Sequence, residues 1–385
     1  MLEGFAVPPL STPAVNSLTK LYAANPGFLS RSMQRSSPYI HEIIDMLKLR
    51  GMPTDLALLP VIESGFDPLA LSPAEAAGIW QFIPETGRRY GLKQDWLRDE
   101  RRDPLAATRA ALNYLQTLYN MFGDWHLALA SYNCGENCVA RAIDQAKAAG
   151  KGRDFASIAP YLPEETRNYV PRFIAVRNVF RNLESNGVQL PAIHHNPRIT
   201  SIYLNQAVDL NAISNLAGIN RQELALLNAG VLRQVVPPNY GVIWLPEDAL
   251  GKLKKTLSDA SGKVDNDALV SLSAAKAIPG ESLGSFAKRN STTVEEVRYL
   301  NNIHRSLYTI SSGTLFIPRK PGEAPFSDNP AMLSPLKMTG EQALTVRFKA
   351  NKKPGALLTA HRLINTNSGW IPGRLQLSSR GKRRY

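Results

Sequence analysis

Apolar positions between residues 38 and about 190 recur at helical spacing, with Pro and Gly between the runs. In 38–50, Ile40, Ile43, Ile44 and Leu47 form one stripe, and Gly51 then suits a C-terminal stop. Pro53 opens a second apolar run, DLALLPVIE, which ends at Glu63-Ser64-Gly65; Pro60 within it predicts a kink. Further helices are expected over 105–122, 125–132, 137–149 and 166–183.

After Pro191 the pattern becomes an internal repeat. DLNAISNLAGINRQELALLN at 209–228 superposes on SLGSFAKRNSTTVEEVRYLN at 282–301, bringing Asp209 onto Ser282, Leu210 onto Leu283, Ile213 onto Phe286 and Asn228 onto Asn301. Each copy holds a capping pattern, Asn220 with Glu223 and Thr293 with Glu296, ahead of an apolar helix. Each then reaches a short apolar run closed by proline, at 242–246 and 315–318. Two short helices between two short strands is the unit this implies.

The fold class is therefore α+β and multidomain: a mainly α domain followed by small βααβ modules. The expected divisions are a lead segment at 1–37, the helical domain at 38–190 and a degenerate repeat at 198–256. A linker at 257–268, a second repeat at 269–319 and a basic, disordered or degenerate tail at 320–385 follow. Ile371-Pro372-Gly373 faintly matches the end of a repeat, but Pro354-Gly355 sits where a helix would be needed.

A chain of 385 residues with 44% hydrophobic and 20% charged positions has ordinary globular composition. Its net charge of +13 raises nucleic acid or an anionic surface as partner. The location of the charge argues against nucleic acid: residues 340–385 hold ten Lys and Arg against one Glu, +9 of the total. No basic face interleaved with aromatics is seen. No apolar stretch is long enough to cross a membrane as a helix. Cys134 and Cys138 fit neither a CxxC redox motif nor a zinc site, and two free or half-buried thiols are expected. His126, His194 and His195 have no carboxylate or thiol at ligand spacing, so they read as loop histidines and no metal is expected. Nor does a phosphate loop or a Ser/His/Asp arrangement stand out, and no cofactor is implied.

The chemistry is concentrated in ESGFDPLALSPAEAAGIWQF, residues 63–82. Glu63 ends an apolar helical run, where both the negative end of the helix dipole and desolvation disfavour its charged form. A carboxyl kept protonated near neutral pH suits a general acid. A solvated helix-end glutamate is the commoner reading of such a position taken alone.

Context changes that reading. The block resembles the lytic transglycosylases of the goose-type lysozyme-like superfamily through Glu63-Ser64, Pro68, Ser72 and Gly78-Ile79-Trp80-Gln81-Phe82. Downstream, Ser131-Tyr132-Asn133-Cys134-Gly135 and Glu165-Thr166-Arg167-Asn168-Tyr169-Val170 match two more of the family's elements in order. The second repeat resembles the LysM module, a βααβ fold that binds N-acetylglucosamine-containing glycans, through Gly280, Glu281, Ser282, Leu283, Leu300 and Asn301.

The resemblance implies a peptidoglycan-cleaving enzyme with Glu63 as acid and base. Ser64, Ser72, Gly78, Trp80, Gln81, Phe82, Tyr132, Asn133 and Tyr169 would support it or bind substrate, with Tyr169 reaching towards the carboxyl, Trp80 as a cleft residue and Trp125 and Trp244 as core. Gly280, Glu281, Ser282, Leu283 and Asn301 would touch glycan in the second repeat, while the first repeat is left between glycan binding and a structural role. Glu75 stands where the family often has Gly, and Asn137 and Cys138 replace small or basic residues; these departures touch substrate preference. Asp67 and Glu75 match no second-carboxylate position, which favours a lone acid and a non-hydrolytic reaction giving 1,6-anhydromuramoyl ends.

Expected partners are peptidoglycan glycan strands, with membrane or anionic wall-surface association, and the protein is expected to be a monomer in the periplasm or cell envelope. The start, MLEGFAVPPLSTP, lacks an export signal's pattern, so a signal is expected outside this sequence. A hydrolytic muramidase or chitinase on the same scaffold, and a non-catalytic LysM wall-binding protein, are the alternatives.

Overall fold

The computed structural model describes residues 6–186, 199–203, 207–236, 242–257, 267–326, 333–339, 363–366 and 369–372. The chain divides into two compact units. One comprises 1–67, 78–92 and 104–198; the other comprises 68–77, 93–103 and 199–385.

The first unit begins with α1 (Pro13–Ala23), α2 (Pro26–Ser36) and α3 (Ile40–Leu49). A tight 3-10 turn at Thr54–Leu58 leads into α4 (Leu59–Ser64), followed by α5 (Pro84–Arg89) and α6 (Pro104–Phe122). Then come α7 (Trp125–Cys134), α8 (Glu136–Ala148), α9 (Phe155–Ile158), a 3-10 turn at Ala159–Tyr161 and α10 (Glu164–Arg181). The long helices lie close to where apolar spacing placed them. Pro60 differs from expectation: it stands in the first turn of α4, where a missing N–H is harmless, so it starts a helix instead of kinking one. The lead segment is also not a mere lead, since it forms α1 and α2, with α1 packed on α10.

Helix α7 is buried without interruption from Trp125 to Ser131 and packs against α6, α8 and α10. A helix apolar on all sides belongs at the centre of a domain. His126 is on this helix, not in a loop as expected, and its Nε2 lies 2.9 Å from the Pro8 carbonyl. His194 and His195 lie outside the described residues. Trp125 stacks on Tyr119 with ring centroids 4.3 Å apart, in the core as expected.

The N-terminal strap is held from beneath by a buried ion pair. Arg177 on α10 is 1% exposed and donates to the carbonyls of Val7 and Pro8. Asp55 accepts from the Val7 amide at 3.2 Å and lies 3.9 Å from the same guanidinium.

The second unit carries the repeat. In its first copy, β1 (Ile199–Tyr203) pairs antiparallel with β4 (Val242–Pro246), and β2 (Val208–Asp209) pairs with β3 (Val235–Val236). Between these run α11 (Leu210–Ala217) and α12 (Arg221–Leu227), with α13 (Glu247–Leu257) after β4. In the second copy, β5 (Leu272–Lys276) pairs with β7 (Thr314–Pro318), and β6 (Ile310–Ser312) pairs with β8 (Lys337–Met338). Its helices are α14 (Leu283–Arg289) and α15 (Val294–Asn301). A hairpin of β9 (Leu363–Thr366) and β10 (Gly369–Pro372) lies within the expected tail, whose remaining residues beyond 339 fall outside the described set.

The caps read from sequence are made. Asn220 accepts from the amides of Gln222 and Glu223, and Thr293 from that of Glu296. Asp209 and Ser282 cap α11 and α14 in the same way. Such caps satisfy N–H groups that a helix start leaves unpaired.

Candidate active site

Glu63 stands in the last turn of α4, which ends at Gly65 in the left-handed conformation (φ +61°). The apolar run before it is buried, and α4 packs against α2 and α10. The carboxylate is thereby carried on a short rigid stub inside the first unit. Tyr169 of α10 donates its hydroxyl to Glu63 Oε1.

Burial pushes the Glu63 carboxyl up to about 7; the Tyr169 hydrogen bond works in the opposite direction, and the nearby charge of Glu165 adds to the rise. The phenols of Tyr169 and Tyr132 are both pushed far above their ordinary range, first by burial and then by the Glu63 charge. Both stay protonated and keep an O–H to donate.

Around this pair the segment 78–82 makes an irregular turn. Gly78 has φ +78°, and Gln81 adopts φ +50°, a conformation disfavoured for a residue with a Cβ. The turn is braced from two sides. Ser64 Oγ donates to the Ile79 carbonyl at 3.0 Å, and Tyr132 Oη donates to the Trp80 carbonyl at 2.9 Å. Gln81 Nε2 donates to the Gly78 carbonyl at 2.9 Å. Strain held by surrounding structure is common where a chain presents groups to a ligand.

Trp80 is fully buried, with its indole N–H donating to Thr108 Oγ1 at 2.8 Å. This corrects its reading as a cleft residue: it is the pillar under the turn and offers no face to a sugar. Phe82 is buried edge-on to Tyr132, with centroids 6.2 Å apart. Asn133 Oδ1 accepts from Thr166 Oγ1 at 2.7 Å, which orients Nδ2 as the donor left to the amide.

Ser72 belongs to the other unit. There its Oγ accepts from the amides of Ala74 and Ala76, at 3.2 and 3.1 Å, and so shapes its own turn. Glu75 in that turn has φ +62°, which explains why a glycine would suit the position.

Other residues of this region were missed by sequence reasoning. Tyr114 of α6 lies 5.3 Å from Tyr132 and 4.9 Å from Tyr90, between centroids, extending an aromatic row away from Phe82. Glu136, held below the usual carboxylate range by Arg89, closes the row through Tyr114. Thr166 and Glu165 were within reach, since they sit in the same quoted element as Tyr169, one helical turn before it. Tyr114 carried no local signal beyond its place in a buried helical stripe.

The expectation of free thiols is overturned. Cys134 and Cys138 form a disulfide across the α7–α8 corner. Gly135, at φ +88°, ends one helix and opens the next, so the two cysteines face each other across a break with Cα atoms 5.8 Å apart.

In the second repeat, Asn301 and Leu283 are buried. Asn301 donates to the carbonyls of Val297 and Phe316 and accepts from the Phe316 amide, all within 2.9 Å. Asn228 makes the same set with Leu224 and Trp244. These asparagines tie the second helix of each repeat to its closing strand, and neither Asn301 nor Leu283 presents a side chain to a glycan. Gly280 and Ser282 are exposed, and Glu281 is part-buried against Arg289. Trp244 is half-buried, with its indole 3.3 Å from Asp103 Oδ2.

Residues 43–155 match the transglycosylase SLT domain, and residues 198–262 match the LysM-like domain of lytic transglycosylase MltD. Over 299 residues the chain is 38% identical to the membrane-bound lytic murein transglycosylase D of Escherichia coli K12, covering 74% of this chain. The protein of that name from E. coli strain CFT073 gives the same figures. The chain spans 64% of the length of these two relatives. Among solved structures, the 70 kDa soluble lytic transglycosylase SLT70 of E. coli aligns at a TM-score of 0.33 with 20% identity, over 44% of this chain and 30% of that one, a likeness too distant to build on. The chain thus carries a transglycosylase SLT domain over 43–155 and continues into a LysM-like domain of the lytic transglycosylase MltD type over 198–262.

Proposed function

We propose that the protein is a lytic transglycosylase that cleaves the β-1,4 bond between N-acetylmuramic acid and N-acetylglucosamine in peptidoglycan. The observation that carries this reading is Glu63: one carboxyl, pushed up to about 7, with a tyrosine hydroxyl on Oε1. A carboxyl with that affinity for a proton is poised to give one up and take one back near neutral pH.

The steps balance with a single residue. Glu63 protonates the glycosidic oxygen as the C1–O bond breaks, and the substrate's N-acetyl carbonyl stabilises C1. The 6-hydroxyl of the muramic acid then attacks C1, and its proton returns to Glu63. No water enters, and the product ends in a 1,6-anhydro ring. Tyr169 stabilises the carboxylate between the two transfers. Asn133 Nδ2 and Gln81 supply polar groups for sugar, while Ser64, Gly78, Trp80, Phe82 and Tyr132 hold the turn that carries Gln81; Ser72 shapes its neighbouring turn. The SLT-domain match supports the same chemistry.

We place the protein in the periplasm or cell envelope, as a monomer on glycan strands, with wall-surface or membrane association through residues outside the described set. Among the described residues no helix is long and apolar enough to cross a membrane.

Mass spectrometry of products from purified sacculi tests the reading. Muropeptides lighter by one water than hydrolytic products are expected, and Glu63→Gln should yield none. Reducing-end products would instead mean a hydrolytic muramidase, and binding to sacculi with no soluble product from wild type or Glu63→Gln a non-catalytic wall-binding protein.

A further inference from the structure

The two repeats share a backbone plan but differ in what lies against one edge. In both, the amide opening the first helix reaches across to the segment after the second helix: Leu210 N to Gln234 O at 2.8 Å, and Leu283 N to Tyr308 O at 2.7 Å. Gln234 and Tyr308 therefore hold equivalent places, as do Asp209 and Ser282.

In the second repeat this edge is open. Ile278 is 55% and Tyr308 64% exposed. The loops on either side are nevertheless fixed. Glu281 accepts from the Ile278 amide at 2.6 Å and pairs with Arg289 at 2.7 Å. Arg298 donates to the carbonyls of His304 and Leu307 and lays its guanidinium 4.8 Å from the centre of the Tyr308 ring. One face of that ring is covered by a cation, and the exposure belongs to the remainder. An ordered tyrosine with an open face is suited to the apolar face of a sugar.

In the first repeat the same edge is closed. Residues 207–214, 227–231 and 234–236 are all buried. The cover comes from the same unit. Residues 93–103 run along the segment after α12, with Asp99 N donating to Gly230 O and Leu232 N to Leu97 O, both at 2.9 Å. Gly230 permits this approach, since a Cβ there would lie 3.2 Å from Asp99 O and 3.3 Å from Asp103 Cβ. Trp96 takes the Arg233 guanidinium on its ring at 5.2 Å. At the other end of the edge, Asp209 accepts from both the amide and the hydroxyl of Ser271, in the approach to β5.

We infer that the first repeat is a filled socket for residues 93–103 and Ser271 and takes no glycan, so that of the two described repeats only the second keeps open the edge that its LysM resemblance implies for N-acetylated sugar, with Tyr308 as the stacking surface there. The inference rests on the proposed glycan substrate and adds which repeat can hold it.

Hydrogen exchange of the full chain, in a Glu63→Gln background with and without N-acetylglucosamine tetramer, tests it. Sugar should slow exchange at 278–285 and 303–309, while 207–214 and 227–236 exchange slowly and equally in both conditions. Tyr308→Ala should lose the sugar-dependent protection without a change in melting temperature. Sugar-dependent protection at 207–214, no protection at the second repeat, or full protection in Tyr308→Ala would each overturn it. Protection at 59–64 and 78–82 in the same samples reports on the Glu63 cleft separately, so a failed substrate assignment and a failed assignment of the repeats look different.

Discussion

The hydroxyl of Tyr169 donates to Oε1 of Glu63, joining α10 to the end of α4 across 106 positions of chain. A hydrogen bond to the charged form of an acid favours that form, so this bond holds the Glu63 pKa down against burial. In wild type, kcat/KM should fall as pH rises through about 7, where the free enzyme loses its acid. Tyr169→Phe should move that limb to higher pH and lower kcat, because the carboxylate loses its donor between proton transfers. A pH profile of murein clearing checks both; an unmoved limb would separate Tyr169 from the titration.

Glu63 should also weaken the fold that holds it. Its folded pKa of about 7 stands above the ordinary 4.5, so the folded state binds the proton more tightly than the unfolded one. Stability is therefore lost as pH rises from about 4.5 to 7 and stays lost above that range. With allowance for its part-exposed side chain, the loss is on the order of 2 kcal/mol. Glu63→Gln should melt above wild type at pH 8 and converge with it near pH 4. Coincident melting curves at both pH values would count against a buried, raised Glu63.

Asp55 and Arg177 are both almost fully buried under the N-terminal strap. Burial pushes Asp55 up to about 6 against the pull of Arg177, so desolvation outweighs attraction. Arg177→Leu alone should cost about 3–5 kcal/mol, since it leaves a buried carboxyl without its cation. Adding Asp55→Asn should recover a large part of that loss. Urea melts of the two single variants and the double variant measure the coupling, and simple additivity would mean the two groups act independently.

The Cys134–Cys138 bridge closes a very short loop at the corner behind Tyr132 and Asn133. Chain-entropy reasoning gives such a loop about 2 kcal/mol. Replacing both cysteines with serine should lower the melting temperature by a few degrees and remove wild type's sensitivity to a dithiol reductant. If wild type and the double variant melt together with and without reductant, the bridge contributes nothing.

Helical spacing and capping residues made most of the fold legible, because both are local. Asn220 and Thr293 cap as their positions indicated, and the structure adds Asp209 and Ser282 as caps that the repeat had only aligned. Glu63 and Tyr169 were legible as motif members, and the family resemblance carried Tyr169 towards the carboxyl; the residues alone do not give that contact, since it depends on how α4 meets α10. Trp80 shows the limit of motif reading: a residue inside a cleft signature turned out to support the backbone from below. The disulfide was missed because the four-residue spacing of Cys134 and Cys138 matches no bridging motif, and their approach depends on the local break set by the positive φ of Gly135. Asn301 was read as a sugar contact from the LysM resemblance, whereas Asn228 and Asn301 share the task of holding a strand.

The contacts that fill the first repeat's edge include one further lesson. Asp99 to Gly230 and Leu232 to Leu97 join main chain to main chain. Peptide groups bind alike whatever side chains they carry, apart from the bare Cα at Gly230. A surface recognised this way sets few demands on the letters of its sequence. The first copy can therefore drift from the repeat pattern while keeping its shape, and residue 230 is the place where drift should be least tolerated.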